Sequence, residues 1–151
     1  MKTSNILANF QFVDNKVIDF SIQNSLLKSK DIAIKVDFDM DYEIVSCRQT
    51  ETSHIGIVDF IVEITGNAEG KGSYKVYLKM RGLFIGSKNN LSIDKFEKML
   101  EVNGTATLSQ ISRAYIISVT SLSGMHTINL PMVNIYSMKK NKDNSKVEAS
   151  H

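Results

Sequence analysis

The sequence has one cysteine, one proline, no tryptophan and no long uninterrupted apolar run. The single cysteine, Cys47, excludes an intramolecular disulfide and is typical of a reducing, cytoplasmic setting. Without about 20 consecutive apolar residues, a membrane-spanning helix is not expected. Residues 1–8 lack the apolar run of a signal peptide. These absences favour a globular cytoplasmic protein that does not insert into a membrane.

The length of 151 residues and the apolar fraction of 42% fit one domain with a substantial core. We expect this domain to span residues 1–138. The remaining segment, 139–151, carries four lysines against two acidic residues, which accounts for the net charge of +2. Because Val147 is its only large apolar side chain, the segment is predicted to be a disordered, basic tail. A basic tail on a neutral body is not the basic patch of a nucleic-acid-binding domain, so no nucleic-acid partner is expected.

Alternation of apolar and polar residues predicts the strands. It runs without a break over residues 31–44, where one face is acidic and comprises Asp37, Asp39, Asp41 and Glu43. Further strands are expected at about 5–23, with a break near Asp14, at 54–65 and at 73–85. Three glycines between the last two predict a hairpin loop. Such alternation favours an antiparallel sheet with one solvated face.

The period changes to that of a helix after the fourth strand. A short helix is predicted to begin at Asn90 or Ser92 and to end at residues 103–104. A longer one is predicted from Thr105 to Gly124. Its expected buried stripe recurs at spacings of three and four: Leu108, Ile111, Tyr115, Val119 and Leu122. The predicted fold class is therefore α+β, a four-stranded antiparallel sheet with C-terminal helices packed on one face.

Residues with the spacing of a catalytic or metal site are sparse. The acidic run is not a calcium loop, since Tyr42 stands where an EF-hand needs glycine and Arg48 where it needs glutamate. His54 and His126 lack partners at zinc-binding spacing. The sequence shows no nucleophile elbow, phosphate loop or dinucleotide fingerprint. We therefore expect no metal, no cofactor and no enzymatic activity.

Two apolar segments are candidate binding surfaces. Residues 81–86 lie where a strand becomes a loop, and residues 125–138 are rich in methionine. Methionine side chains are flexible and adapt to varied partners. The simpler interpretation, which the residues favour, is that both segments close the core.

The order of motifs along the chain resembles that of the SecB family of export chaperones, over about residues 9–138. The motifs are YKVYLKMRGLF at 74–84, VNGTATL at 102–108, Arg113, residues 120–124 and LPMVN at 130–134, with shorter stretches at 9–12 and 35–39. The resemblance implies a four-stranded antiparallel sheet with C-terminal helices. It also implies a homotetramer, a dimer of dimers formed through the first strand and the long helix, that holds unfolded clients in apolar grooves without ATP.

The resemblance also implies roles for particular residues. Client binding is expected of an apolar set: Tyr74, Leu83, Phe84, Phe96, Met99, Met125, Leu130, Met132 and Tyr136. The oligomer interface is expected at Phe10, Phe12, Ile111, Tyr115 and Val119. The acidic set of the second strand is expected to dock a partner: Asp37, Asp39, Asp41 and Glu43.

The family implies two kinds of partner beyond unfolded clients. Some members deliver clients to the SecA motor, and others stabilise the antitoxin of a toxin–antitoxin pair. The family's SecA-facing sheet surface is acidic, whereas the predicted fourth strand presents Lys75 and Arg81. The sequence leaves open a general holdase and a dedicated module such as an antitoxin chaperone or assembly adaptor. A small-molecule-binding protein is a third alternative, for which only Cys47, His126 and Arg113 speak.

Overall fold

The computed structural model describes residues 2, 8–26 and 31–150. Four strands form one antiparallel sheet of order β1-β4-β3-β2, with bounds β1 Phe10–Asn24, β2 Lys35–Gln49, β3 Ser53–Ala68 and β4 Gly72–Ser87. Three helices follow: α1 Ile93–Met99, α2 Thr105–Leu122 and α3 Ile135–Glu148. A π-helical turn, Leu100–Gly104, joins α1 to α2.

The sheet has one buried face and one exposed face, and β3 and β4 lie at its centre. The predicted inward residues of these two strands are all buried: Val58, Phe60, Val62, Ile64, Tyr74, Val76, Leu78 and Met80. The predicted hairpin loop is confirmed at two of its three glycines, with φ angles of 70° at Gly70 and 115° at Gly72, whereas Gly66 lies within β3. Glycine is favoured at such angles because a Cβ would crowd the backbone. The alternation therefore predicted the central hairpin correctly.

Strand β1 carries two irregularities in its pairing with β4. Register shifts occur between Phe12 and Asp14 and between Val17 and Asp19. Each shift inserts one residue and resets which side chains face the helices. As a result Phe12 lies opposite Phe84, and Val17 opposite Met80, on the helix-covered face. The predicted start of this strand, residues 5–7, lies outside the described residues.

The first two helices are continuous, which differs from the stop predicted at residues 103–104. Gly104 has a helical φ of −62° and does not end the chain's helical path. A Cβ at this glycine would lie 3.4 Å from side-chain atoms of Phe84 and Val58. A Cβ would therefore fit at contact distance, and Gly104 lies where the helical path passes close to the sheet rather than at a helix end. The predicted cap at Ser92 is confirmed, since its side chain accepts a hydrogen bond from the Lys95 amide.

The buried face of α2 differs from the predicted apolar stripe. The buried residues include several small polar ones: Thr105, Leu108, Ser109, Ser112, Ile116 and Thr120. Of the predicted stripe only Leu108 is fully buried, and Leu122 is 87% exposed. The small side chains let α2 lie close to the sheet, while Ile111 and Tyr115 pack against the edge of the core. The predicted end at Gly124 is confirmed by its φ of 76°.

The C-terminal segment differs most from the prediction. Residues 139–148, expected to be disordered, belong to helix α3. Asn134 caps this helix by accepting a hydrogen bond from the Ser137 amide. Lys139 and Lys142 form ion pairs with Glu101 and Asp41 of the body. The helix was not predicted because local composition does not reveal partners so far away in the sequence. Residue 151 lies outside the described residues.

We expect Gly66→Ala to destabilise the fold by about 1–3 kcal/mol. Gly66 lies directly opposite Tyr74 in the β3–β4 ladder, and a Cβ there would lie 2.2 Å from the tyrosine ring. Tyr74 is itself buried and cannot swing away without disturbing the core. Urea unfolding at equilibrium measures the change. Asn67→Ala, at the exposed neighbouring position, is the control and should change stability by less than about 0.5 kcal/mol; equal effects of the two variants would contradict this account.

Candidate functional site

An incompletely covered apolar strip runs along β1 on the helix side of the sheet. Phe12 is 40% exposed, and Val17 is also exposed. The neighbouring wall comes from α2, where the Tyr115 ring meets Phe20 edge-on at 5.2 Å. Large apolar side chains left partly in water at a sheet edge are a liability unless another chain covers them. This edge is therefore a candidate site for contact with another polypeptide.

Of the predicted interface residues, Phe10 and Phe12 lie on β1, and Tyr115 contacts Phe20 of this strand. Phe10 stacks on Phe84 with ring centroids 5.4 Å apart, and is half-buried. Ile111, Tyr115 and Val119 are half-buried on α2. Together with Phe12 they place apolar surface on both the strand and the helix, although the assembly itself stays a prediction.

The nine predicted client-binding residues do not form one surface. Five belong to the buried core: Tyr74, Phe84, Phe96, Met125 and Leu130. Leu83 lies on the opposite face of the sheet, and Met99 is half-buried against the core. Met132 and Tyr136 are 72% and 71% exposed, on either side of the start of α3 at Ile135. Core closure thus accounts for five of the nine, and client binding by the set stays a prediction.

The outer face of the sheet carries separated charges. The predicted acidic set is exposed along β2: Asp37, Asp39, Asp41 and Glu43. Strand β4 turns a basic row to the same face, Lys75, Lys79 and Arg81, because its even-numbered residues are buried. The face is therefore acidic at one edge and basic near the other. Separated charges of opposite sign can orient a partner whose charges are complementary.

A buried ion pair that the sequence did not predict lies between these two rows. The Asp59 carboxylate is 1% exposed and accepts two hydrogen bonds from the Arg81 guanidinium, at 2.7 and 2.8 Å. These bonds raise the pKa of Arg81 above its ordinary value. The bidentate geometry fixes both side chains. The sequence places Asp59 on the polar face of a strand and does not indicate that it is buried, because the neighbouring strands bury it.

Beside this pair the outer face is aliphatic. Ile57 lies opposite Leu83 and Ile55 opposite Ile85, and all four side chains are half-buried. The first two line a cleft of about 300 Å³ that also includes Asp14. This patch lies on the face opposite α2, so it does not extend the β1 strip.

A second network joins β2, the π-helical turn and α3. The buried Tyr42 hydroxyl donates to one Glu101 oxygen at 2.7 Å, and the Lys139 ammonium lies 2.5 Å from the other. Burial raises the pKa of Glu101, but the hydrogen bonds from Lys139 and Tyr42 lower it by more, so its pKa lies below the ordinary value. Lys142 binds Asp41 at 2.8 Å and also donates to the Tyr42 carbonyl oxygen. Both partners of Glu101 therefore stabilise its ionised carboxylate.

Residues with catalytic potential have structural surroundings. Arg113 donates to the Asn129 side chain at 3.0 Å, which ties the segment after α2 to the helix. Burial and the nearby Glu97 raise the pKa of the Cys47 thiol, which disfavours the reactive thiolate. The buried His54 ring lies 2.6 Å from the Leu91 carbonyl oxygen. Within residues 8–26 and 31–150, no group of His, Cys, Asp and Glu is arranged to hold a metal ion.

Comparison with known proteins identifies the fold. No protein-family model and no curated protein matches the chain. Among solved structures it is similar to the SecB-like chaperone Rv1957 of Mycobacterium tuberculosis in complex with a ChAD peptide from the Rv1956 HigA1 antitoxin. The TM-score is 0.64 with 10% identity, over 83% of this chain and 91% of that one. A protein of unknown function from Streptococcus agalactiae gives a TM-score of 0.43 with 11% identity, over 81% of this chain and 96% of that one. A score this low does not support a conclusion about the fold.

The chain thus has a SecB-like α+β fold, as the sequence predicted. Its described part contains no helix that is long and apolar enough to span a bilayer. At 10% identity the likeness establishes the fold alone.

We expect Glu101→Gln to lower the free energy of unfolding by about 1 kcal/mol at neutral pH, because the ion pair with Lys139 is lost. Glutamine keeps an oxygen that can accept from Tyr42. The pKa of Glu101 is lower in the folded protein than its ordinary value of 4.5. Its contribution is therefore fully present above the unfolded pKa and is lost as pH falls through the folded pKa. The stability difference between wild type and variant should narrow below about pH 4.

Urea titrations between about pH 7 and about pH 3 measure this difference. Glu69→Gln, in the exposed β3–β4 turn, is the matched control and should show no such change with pH. A difference for Glu101→Gln that stays constant across the range would refute the assignment.

Proposed function

We propose that this protein is an ATP-independent chaperone that holds non-native polypeptides on apolar surface at the edges of its sheet. The observation that carries the proposal is exposed apolar surface apart from the β1 strip: Phe38 and Ile44 on the edge strand β2, and Met132 and Tyr136 around the start of α3. The SecB-like fold adds to it, since a protein of that fold was solved with a bound peptide. Weak apolar contacts repeated along one surface suit chains without fixed structure. The proposal assigns no catalytic step and no cofactor.

The β1 strip supports assembly into a dimer of dimers. Strand β1 is an outer strand of the sheet, and pairing it with a two-fold mate would cover its apolar side chains isologously. The α2 wall, with Ile111, Tyr115 and Val119, would supply the second contact. Grooves bordered by two subunits would then bind one client at several points, which raises affinity through effective concentration.

A narrower function is the second candidate, in which the protein serves one dedicated partner such as an antitoxin or an assembly component. The similar Mycobacterium tuberculosis chaperone was solved with an antitoxin peptide. The basic row of Lys75, Lys79 and Arg81 on the outer face also favours it over docking to SecA, because the SecA-facing surface of the family is acidic. Export from the cytoplasm through SecA remains the role in which the acidic set of β2 would be the docking surface.

A pull-down under native conditions separates the two candidates. Recovery of many unfolded chains supports the general holdase, and recovery of one small partner supports the dedicated module.

We expect the protein to suppress aggregation of thermally unfolded citrate synthase in the absence of ATP, measured by light scattering. Met132→Ala combined with Tyr136→Ala should weaken suppression by about twofold or more, because both side chains offer large exposed apolar surface. Leu122→Ala, which removes an equally exposed side chain outside the predicted set, is the control. No suppression by wild type at a several-fold excess would refute the holdase.

We expect a solution mass near four times 16.9 kDa, measured by light scattering after size exclusion. Phe12→Asp should shift the mass to smaller species, because a charge would replace a ring in the proposed interface. Ser21→Asp, on the outer face of the same strand, should leave the mass unchanged. Circular dichroism checks that both variants are folded, and a stable wild-type monomer would refute the assembly.

A further inference from the structure

The methionines of this chain differ widely in their access to solvent. Met132, in the segment between α2 and α3, is 72% exposed. The other methionines of the described residues are buried or half-buried: Met40, Met80, Met99, Met125 and Met138. Oxidants in solution convert methionine to its sulfoxide, and they reach an exposed sulfur more readily than a buried one. Met132 is therefore the methionine of the described chain that is most open to oxidation.

Two N–H donors of helix α2 contact the sulfur of Met132. The Nη1 atom of Arg113 lies 3.2 Å from Sδ, and the Nε2 atom of Gln110 lies 3.8 Å from it. A thioether sulfur is only a weak hydrogen-bond acceptor. The guanidinium is therefore directed at an atom that satisfies it poorly and that becomes a better acceptor once it carries an oxygen.

Arg113 also holds the same segment at a second point. Its Nε atom donates to the Asn129 side chain at 3.0 Å, so the planar guanidinium is fixed in direction. Pro131 lies between the two contacts and restricts the backbone there. Helix α3 begins at Ile135, shortly after Met132. A stronger contact at Met132 would therefore tie the segment to α2 close to the start of α3.

We propose that Met132 is a site of reversible oxidation to methionine sulfoxide, and that Arg113 holds the sulfoxide. The oxidant is hydrogen peroxide. A lone pair of the sulfur forms a bond to one peroxide oxygen, the O–O bond breaks, and the other oxygen leaves as water with both protons. The sulfur loses two electrons and the peroxide gains them. A methionine sulfoxide reductase reverses the step: two thiols are oxidised to a disulfide, and the oxygen leaves as water.

Oxidation changes both the polarity of this side chain and its partner. A sulfoxide oxygen accepts a hydrogen bond from a guanidinium far better than a thioether does, because the bond is charge-assisted. The side chain of Met132 is unbranched and exposed, so rotation about its torsions brings the new oxygen to Arg113. An exposed apolar group thereby becomes a polar group attached to α2.

The consequence for client holding rests on the proposed function, whereas the oxidation site does not. Met132 belongs to the exposed apolar surface around the start of α3. Oxidation removes apolar area from that surface and fixes the side chain on α2. Oxidised protein should therefore hold non-native polypeptides less well than reduced protein.

Peptide mapping by mass spectrometry after brief treatment with hydrogen peroxide identifies the site. In the folded protein Met132 should be oxidised at least about fivefold faster than the other five described methionines. In concentrated urea, where every sulfur is exposed, the rates should converge to within about twofold. A mixture of the two methionine sulfoxide reductases, one for each epimer, should restore Met132 in the folded protein. Equal rates in the folded protein, or a sulfoxide that the reductases cannot reach, would overturn the inference.

Hydrogen exchange tests the contact with Arg113. Amides of residues 132–136 should exchange about threefold more slowly in oxidised than in reduced wild type, because the sulfoxide ties the segment to α2. The slowing should persist in Asn129→Ala, which removes only the other contact of Arg113. It should be absent in Arg113→Ala and in Met132→Leu, which keeps an apolar side chain without sulfur. Circular dichroism checks that each variant is folded; no slowing in wild type, or the same slowing in Arg113→Ala, would exclude Arg113 as the group that holds the sulfoxide.

Aggregation suppression separates the site from the proposed function. After removal of peroxide, oxidised wild type should suppress aggregation of citrate synthase about twofold less than reduced wild type. Met132→Leu should suppress equally before and after the same treatment, which controls for oxidation elsewhere. Equal suppression by oxidised and reduced wild type would contradict the link between the site and client holding. Absence of suppression by reduced wild type would overturn the proposed function alone, and the mapping and exchange results would then decide the oxidation site.

Discussion

The close contact of α2 with the centre of the sheet is the constraint on which the rest of the structure depends. A Cβ at Gly82 of β4 would lie 2.7 Å from the Leu108 side chain, so this approach requires glycine. On the helix, the buried face carries the small residues Ser109 and Ser112. Small groups on both partners let the helix pack closely on the apolar face. One face of the sheet is thereby committed to the core, and the other can carry charge.

The same contact leaves the two outer strands unequally covered. Helix α2 packs on β3 and β4, and its flank reaches β1 only through contacts such as that of Tyr115 with Phe20. Strand β2 is covered by α3, which buries little apolar surface of its own. The helix side of β1 carries Phe12, Val17 and Phe20, whereas the outer side of β2 carries the acidic set. An apolar border suits permanent association, and an acidic, loosely covered border suits exchange of partners.

Periodicity predicted the elements because each is encoded locally. Apolar and polar residues alternate in β3 and β4 because one face of these strands is buried. A shift of the pairing register by one residue would expose Phe60 or Leu78 to solvent. The predicted break near Asp14 is confirmed by the register shift between Phe12 and Asp14, whereas the second shift, between Val17 and Asp19, depends on pairing with β4 and was not predicted. The buried stripe of α2 was misplaced for a related reason, because closeness to the sheet favoured small side chains over Leu122. Glu101 and Lys139 are 38 residues apart, and no local pattern connects them.

Helix α3 connects the two faces of the sheet at the edge of β2. Lys142 binds the carboxylate of Asp41, which belongs to the outer acidic set, and the carbonyl oxygen and ring of Tyr42, which faces the core. Departure of the helix would therefore uncover apolar surface on one side and remove a cation from the acidic set on the other. Asp37, Asp39 and Glu43 would then act on a partner without Lys142 beside them, and unit charges this close interact appreciably at a protein surface. The position of α3 and the electrostatic potential of the outer face are thus linked through Lys142.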